Sequence, residues 1–178
     1  MTSLLDLTGK KGLVVGIAND QSIAYGCALA FRNAGAQLAI TYANDKAKPH
    51  VLPVAQALGA TLIAPCDVQD AAQVTALFEQ IKQQFGTLDF LLHSIAFAPK
   101  DDLHGRVVDS SLEGFLTATD ISCHSFIRMA KAAEPLMTNG GSLLTVSYYG
   151  AQKVVKHYNM MGPVKAMLES SVRYMAAE

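Results

Sequence analysis

Short apolar runs alternate with longer amphipathic stretches along nearly the whole chain. Five of the runs have the length of buried parallel strands, and they cover residues 12–17, 37–42, 61–65, 88–93 and 142–147. The intervening patterns predict helices over 23–33, 47–58, 70–85 and 113–136, and a last helix from 159 that still runs at 178. Asp70 and Asn159 are the candidate N-caps of the helices that begin there. Residues 100–111 are predicted to form a polar loop in which Asp101 and Asp102 are solvated. Alternation of this kind predicts an α/β fold with a doubly wound parallel sheet and right-handed crossovers.

Length and composition favour one domain over residues 1–178. The chain is 51% hydrophobic and 16% charged, and we interpret the apolar excess as subunit interface. The net charge of −1 gives no support to a nucleic-acid or anionic-membrane partner. No run has transmembrane length, and the first residues carry no signal-peptide pattern. Three scattered cysteines indicate reduced thiols and a cytoplasmic protein. His93, at the end of an apolar run, is predicted to be a packed residue, and the other four histidines show no metal-ligand spacing.

The first β–α turn resembles a phosphate-binding turn. Gly16 ends the first apolar run, a polar loop follows, and Ser22 is a candidate N-cap of the next helix. A helix N-terminus offers backbone N–H groups and a positive dipole end to a pyrophosphate. Gly16 and Gly26 would permit close backbone approach and close helix–strand packing. The G-x-G-x-x-G fingerprint is absent, so an ordinary βα connection is the alternative.

Tyr158 and Lys165 form a candidate catalytic pair. They are seven residues apart, which is about two helical turns or roughly 10 Å along a helix axis. A nearby ammonium would lower the pKa of the tyrosine, and at this spacing it would act through something between them, such as a cofactor ribose. The alternative is a surface lysine and a half-buried core tyrosine. Since ligands bind at the carboxyl ends of parallel strands, Asp67, Ser94 and Tyr148 are predicted to lie at the same edge of the sheet as Gly16.

Together these motifs resemble the bacterial enoyl-(acyl-carrier-protein) reductases, a divergent branch of the short-chain dehydrogenase/reductases. The resemblance covers essentially all 178 residues. It depends on Gly16-x5-Ser22-Ile23-Ala24-Tyr25-Gly26, Thr41-Tyr42-x-Asn44-Asp45, Cys66-Asp67-Val68, His93 to Pro99, Asp120-Ile121-Ser122, Tyr148 and Tyr158-x6-Lys165. Ordinary members of the superfamily have T-G-x3-G-x-G and Tyr-x3-Lys, and this chain has neither.

The resemblance implies a Rossmann-like fold of the short-chain dehydrogenase type and NADH as cofactor. The implied cofactor-binding residues are Gly16, Ser22, Ile23, Ala43, Asp67, Val68, Ser94, Ile95, Ala96 and Lys165. The implied catalytic residues are Tyr148, Tyr158 and Lys165, and the implied substrate contacts are Ala98, Tyr148, Tyr158 and Met161. Ala43 stands where the family often has Gln, beside the adenosine ribose, and no cation follows it at once. NADPH is therefore the less favoured cofactor.

The implied activity is reduction of the trans-2 double bond of enoyl thioesters held on acyl carrier protein, in fatty acid elongation, by a homotetramer. The family continues with two more strands where this chain stops inside a helix, so C-terminal strands are expected to be missing. Two alternatives are a carbonyl-reducing short-chain dehydrogenase and a non-catalytic nucleotide-binding fragment.

Overall fold

The computed structural model describes residues 5–178 and divides them into two compact units. The first, here called the sheet unit, contains the chain up to Ser94 together with Met129–Thr145. The second, here called the helical unit, contains Ile95–Arg128 and Val146–Glu178.

All five strands belong to the sheet unit and all pair in parallel, as the alternating pattern predicts. They are β1 (Lys11–Val15), β2 (Gln37–Tyr42), β3 (Leu62–Pro65), β4 (Phe90–His93) and β5 (Ser142–Thr145). The order across the sheet is β3-β2-β1-β4-β5. The central strand β1 is registered with Leu13 beside Ala39 of β2 and Leu91 of β4, and all three side chains are buried. The fifth strand is an edge, and its adjacent residues Leu143 and Leu144 are 37% and 42% exposed.

Three helices pack on the sheet within this unit: α1 (Ile23–Asn33), α2 (Lys48–Ala57) and α3 (Ala71–Phe85). The first two connections step outward from β1 to β3, whereas α3 carries the chain back across the sheet to β4. Right-handed crossovers therefore place α3 on the face opposite α1 and α2, which makes the sheet doubly wound. Asp70 caps α3 as predicted, because its carboxylate accepts from the N–H groups of Ala72 and Gln73.

The predicted helix over 113–136 is built from several consecutive helical segments. It begins as α5 (Leu112–Thr119), passes through a π-helical segment (Asp120–His124), and continues as α6 (Ser125–Ala133) and a 3-10 turn (Glu134–Leu136). The π-helical segment was not predicted from the sequence, because a single wide turn interrupts the helical spacing too briefly to stand out within a long apolar helix.

Two predictions about residues 100–111 are wrong. Residues 100–111 contain a short helix α4 (Lys100–Leu103) and a 3-10 turn (Val107–Asp109) rather than only loop. Asp102, interpreted from the sequence as solvated, is half-buried and accepts from the N–H of Ser111 at 2.6 Å, beside the start of α5. A Cβ on Gly114 would lie 2.0 Å from that carboxylate, so a larger residue there would require the Asp102 side chain to move.

The last helix, α7, spans Met161–Met175 and does not run from 159 to 178 as predicted. Met160 is its N-cap residue instead of Asn159, whose φ of 45° is incompatible with a helical start. Pro163 is then the third helical residue, where its missing N–H has no intrahelical partner to lose. Within residues 5–178, no helix combines the length and apolar character needed to cross a membrane.

Candidate active site

Five predicted cofactor-binding residues lie at one edge of the sheet unit. Gly16, Ala43, Asp67 and Ser94 each follow the carboxyl end of a strand, from β1, β2, β3 and β4 in turn, and Val68 follows Asp67. Because the strands are parallel, these ends meet at the same edge. Ala43 and Asp67 are exposed there, whereas Val68 is buried.

Gly16 adopts a backbone conformation that other residues rarely tolerate. Its φ is +106°, and a Cβ built on it would lie 2.0 Å from the carbonyl oxygen of Ser94. The backbone at Gly16 therefore closely approaches the end of β4, whereas its predicted approach to a pyrophosphate stays a prediction. Gly26 differs, because it is exposed on α1 and a Cβ there would meet nothing within 4 Å. The prediction that Gly26 permits close helix–strand packing is wrong.

The N-terminus of α1 follows the turn after Gly16. Ser22 occupies the N-cap position with extended backbone angles, as predicted, but its side chain does not cap the helix. Its hydroxyl donates instead to the carbonyl of Asn19 at 2.7 Å. Ile23 opens the helix with an exposed side chain. A helix end without a side-chain cap presents its first N–H groups outward, which suits an anionic phosphate.

The Asp67 carboxylate is held within its own loop. Its Oδ1 accepts from the N–H of Gln69 at 3.0 Å, and its backbone N–H donates to Oε1 of Gln73 at 3.0 Å. The preceding residue, Cys66, is buried, and burial together with the charge of Asp67 raises the pKa of its thiol to about 11. An exposed, fixed carboxylate of this kind can accept from an amino group such as that of adenine.

Lys165 is a buried cation inside the helical unit. Its side chain is on α7, the residue is 4% exposed, and Nζ donates to the carbonyl oxygen of Val146 at 2.7 Å. Burial lowers the pKa of the ammonium, since the charged form loses hydration. One of its three ammonium protons is thus committed to the backbone that follows β5, and the remaining donors are free to bind a sugar hydroxyl.

Tyr158 and Tyr148 are in direct contact. Their ring centroids are 4.7 Å apart with an interplanar angle of 62°, an edge-to-face arrangement. Burial and the neighbouring Tyr148 raise the pKa of the Tyr158 phenol. The prediction that Lys165 lowers this pKa is wrong, because the ammonium bonds to Val146 and burial is the dominant influence on the phenol. Tyr158 is therefore a protonated hydrogen-bond donor at neutral pH.

The backbone around Tyr158 is held in an uncommon conformation. His157 and Asn159 on either side have φ of 68° and 45°. The Asn159 side chain donates to the carbonyl of Leu103 at 2.8 Å, which ties this turn to α4. Positive φ costs energy at a non-glycine residue, although Asn and His adopt it more readily than most, and such conformations cluster at functional sites. Tyr158 lines a cleft of about 630 Å³ in the helical unit, together with residues 150–157, Val107, Asn159, Gly162, Pro163 and Ala166.

The residues after Ser94 are held by a serine that sequence reasoning did not assign a role. Ser122, fully buried in the π-helical segment, accepts from the N–H of Phe97 and donates to its carbonyl, each at 2.9 Å. This single hydroxyl fixes the backbone between Ile95 and Ala98. Ala96 is exposed, whereas Ile95 and Ala98 are half-buried.

The remaining predicted residues are placed as follows. Met161 is buried, so its contact with substrate stays a prediction. His93 is fully buried beside Thr145, with Nδ1 3.2 Å from Oγ1, which confirms that it is a packed residue. All three cysteines are free thiols, as predicted. In the part of the chain that the structure describes, no three His, Cys, Asp or Glu side chains are grouped to hold a metal ion.

Comparisons with known proteins agree on one family. The family model for enoyl-(acyl carrier protein) reductase matches residues 16–178. A curated relative from Rhizobium meliloti (strain 1021), enoyl-(acyl-carrier-protein) reductase (NADH) 1, is 47% identical over 97% of this chain and 63% of its own length. The chain thus spans somewhat less than two thirds of that relative.

Two solved structures share the fold closely. The enoyl-(acyl-carrier-protein) reductase of Anaplasma phagocytophilum, in complex with NAD, has a TM-score of 0.94 and 51% identity. The match covers 99% of this chain and 68% of the Anaplasma phagocytophilum chain. The enoyl-acyl carrier protein reductase of Bacillus cereus, with NADP+ and an indole naphthyridinone, has a TM-score of 0.94 and 46% identity. The match covers 98% of this chain and 68% of the Bacillus cereus chain.

Proposed function

Because the chain belongs to the enoyl-(acyl carrier protein) reductase family, we propose that it reduces the trans-2 double bond of enoyl thioesters on acyl carrier protein, with NADH, in fatty acid elongation. The observation that carries the proposal is the arrangement in the helical unit. Tyr158 contacts Tyr148, and Lys165 is buried seven residues further on. This is the Tyr-x6-Lys spacing of the family, and it differs from the Tyr-x3-Lys of carbonyl-reducing relatives.

In this mechanism the role of Tyr158 is to stabilise developing charge. NADH, when bound, supplies the hydride that adds to the β-carbon of the enoyl thioester. Negative charge then accumulates on the thioester oxygen, and the Tyr158 hydroxyl donates to that oxygen. A phenol whose pKa lies above its ordinary value is protonated at neutral pH, so the donor is present before the reaction begins. A preorganised donor of this kind is worth on the order of 3 kcal/mol in the transition state.

The family resemblance assigns cofactor-binding residues to each unit separately. Gly16, Ser22 and Ile23 would line the pyrophosphate, which the uncapped, exposed start of α1 supports. Asp67 and Val68 would bind adenine, with Ala43 next to its ribose. The segment Ser94–Ala96 would lie along the nicotinamide ribose and ring, and Lys165 would bind the ribose hydroxyls. Tyr148, Ala98 and Met161 would contact the acyl group or its entry path.

Preference for NADH over NADPH is part of the proposal. Ala43 offers no charge to a 2′-phosphate, and the next residues are Asn44 and Asp45. The Lys48 ammonium lies over the Tyr42 ring, with Nζ 5.7 Å from the ring centroid. This cation therefore already has a cation–π partner. The Bacillus cereus structure contains NADP+, so the two cofactors should be compared directly. Titration of the purified protein with both should give tighter NADH binding, and tighter NADPH binding would refute the preference.

Turnover tests the proposal as a whole. Intact mass should first establish the polypeptide in the sample. NADH oxidation is then followed with a trans-2-enoyl thioester of acyl carrier protein, and the matching 3-ketoacyl thioester serves as control. We expect oxidation with the enoyl substrate only. Oxidation with the ketoacyl thioester alone would identify a carbonyl reductase, and NADH binding without turnover would identify a non-catalytic nucleotide-binding protein.

We also propose that residues 1–178 act as one dinucleotide-binding and catalytic domain in a cytoplasmic homotetramer. The unbroken match of the family model and the three free cysteines support the domain and the compartment. On α7, Leu168, Val172 and Met175 have the spacing of an apolar stripe, but Leu168 is already fully buried in the protomer. Light scattering should give a tetramer, and a monodisperse monomer at micromolar concentration would refute it.

A further inference from the structure

The segment that carries Tyr148 is bonded at consecutive residues to α7. We call residues 146–152 the Tyr148 segment. Lys165 donates to the carbonyl of Val146, and the Ser147 hydroxyl donates to Oε1 of Glu169 at 2.6 Å. Lys165 and Glu169 are four residues apart, so they lie one turn apart on the same face of the helix. The two residues immediately before Tyr148 are thus both held from α7.

The other end of the Tyr148 segment packs closely against the start of α7. A Cβ on Gly150 would lie 2.3 Å from the Tyr158 ring, and one on Gly162 would lie 3.1 Å from the Gly150 carbonyl oxygen. The Gln152 amide is 3.5 Å from Oε2 of Glu169, at the limit for a hydrogen bond. The contacts of Glu169 and of the two glycines therefore hold the Tyr148 segment on both sides of Tyr148.

The Tyr148 side chain depends on neighbouring residues for its position. Among residues 5–178 its hydroxyl has no hydrogen-bond partner, and the side chain is about half exposed. Its ring position is fixed by the contact with Tyr158 and by the backbone on which it sits. Glu169 also forms no ion pair with any described residue, so the Ser147 hydroxyl is the main partner of its carboxylate. A charge-assisted bond of 2.6 Å is a strong constraint on that backbone.

We propose that Glu169 is a positioning residue which, through Ser147, holds the ring of Tyr148 against Tyr158. The catalytic consequence of this placement rests on the proposed reductase function. Without the bond from Ser147, the Tyr148 segment would keep only the Lys165 and glycine contacts, and the Tyr148 ring would move away from Tyr158. Misplacement by about 1 Å is enough to reduce turnover by up to about 100-fold.

Four variants and a matched control test the positioning role. Glu169→Ala and Ser147→Ala should each lower kcat by about 10-fold to 100-fold while leaving the KM for NADH unchanged. The double variant should be no worse than either single variant, because both remove the same bond. Glu169→Gln keeps an oxygen that accepts from Ser147, so it should retain most of the activity. Glu79→Ala, an exposed glutamate on α3, should match the wild type.

A second measurement does not depend on turnover. In protein labelled at tyrosine, nuclear Overhauser effects between the Tyr148 and Tyr158 rings should be present in the wild type, Glu169→Gln and Glu79→Ala. They should be lost in Glu169→Ala and in Ser147→Ala. Persistence of the ring contact in both alanine variants would overturn the positioning role, whatever the activity. Absence of turnover in the wild type would instead refute the reductase function. The nuclear Overhauser effects between the two rings would then still test the positioning role of Glu169.

Discussion

The ring of Tyr148 contacts the ring of Tyr158 edge to face, with centroids 4.7 Å apart. The contact affects the acid–base behaviour of Tyr158, since Tyr148 adds to the effect of burial in raising the pKa of that phenol. The shift disfavours the phenolate form of Tyr158. Tyr158 is therefore a neutral donor at neutral pH, which is the state that the proposed enolate stabilisation requires.

Replacing the neighbour should shift the titration of Tyr158. In Tyr148→Phe the ring contact is kept and the hydroxyl is lost, so the pKa of Tyr158 should fall. It should remain above the usual value of 10.0, because burial persists and is the larger cause. The measurement is the pH dependence of the Tyr158 phenol carbon by NMR. Tyr174→Phe, at an exposed tyrosine on α7, is the control and should leave the titration unchanged. A Tyr158 pKa that rises in Tyr148→Phe would contradict this explanation.

Substitutions at Tyr158 and Lys165 should have different effects. Tyr158→Phe removes the donor to the enolate, so kcat should fall by about 10²-fold to 10³-fold with NADH affinity unchanged. Lys165→Met keeps the apolar stem but removes the ribose donor, so the Kd for NADH should rise by about 10-fold to 100-fold.

Calorimetric titration with NADH and steady-state rates separate the two roles. Lys82→Met, at an exposed lysine of α3, is the matched control and should change neither quantity. If the Tyr158 variant lost NADH binding and the Lys165 variant kept it, the two roles would have to be exchanged.

The sheet was predictable because its pattern is local. The five strands and their parallel pairing follow from the alternation of apolar runs with helical stretches, and the Asp70 cap follows from the preference of Asp for that position. The structure shows each of them. The π-helical segment was not predictable, because it is a single wide turn within a long helix and interrupts the helical spacing only briefly.

Side-chain partners were the least predictable part of the candidate site. The spacing of Tyr158 and Lys165 implied a ligand between them, but it carried no information about the Val146 carbonyl to which Lys165 donates. Glu169 is a missed residue whose signal was available, since it lies four residues after Lys165 on the same helical face. Its partner Ser147 follows a different strand, so the pairing becomes visible only in three dimensions.

Gly16 and Gly26 should respond oppositely to the same substitution. Gly16→Ala places a Cβ 2.0 Å from the Ser94 carbonyl at a φ of +106°, so the backbone must shift and the protein should lose about 2 kcal/mol or more of stability. Gly26→Ala is on an exposed helical face with nothing within 4 Å, and it should gain up to about 1 kcal/mol from helix propensity. Urea unfolding measures both. Equal stability of the two variants would show that the Gly16–Ser94 approach relaxes at little cost.

Asp89 should make stability depend on pH in the acidic range. It lies just before β4, where its carboxylate accepts from Lys10 Nζ and from the N–H of Lys11, each at 2.9 Å. Burial alone would raise its pKa, but these bonds and the two lysine charges outweigh burial and lower the pKa below 3.8. A depressed carboxyl pKa contributes stability above the unfolded value and loses that contribution as the pH falls through the folded value.

The Asp89→Asn variant should therefore be less stable at neutral pH, by about 1 kcal/mol given that Lys10 is half exposed. Its stability should also fall less steeply than that of the wild type as the pH drops from about 4 towards 2. Thermal unfolding across that range measures both effects. Glu79→Gln neutralises an exposed carboxylate on α3 and is the control, with the wild-type slope expected. An Asp89→Asn variant that keeps both the wild-type stability and the wild-type slope would show that the pairing with Lys10 and Lys11 stabilises the fold no more than hydration does.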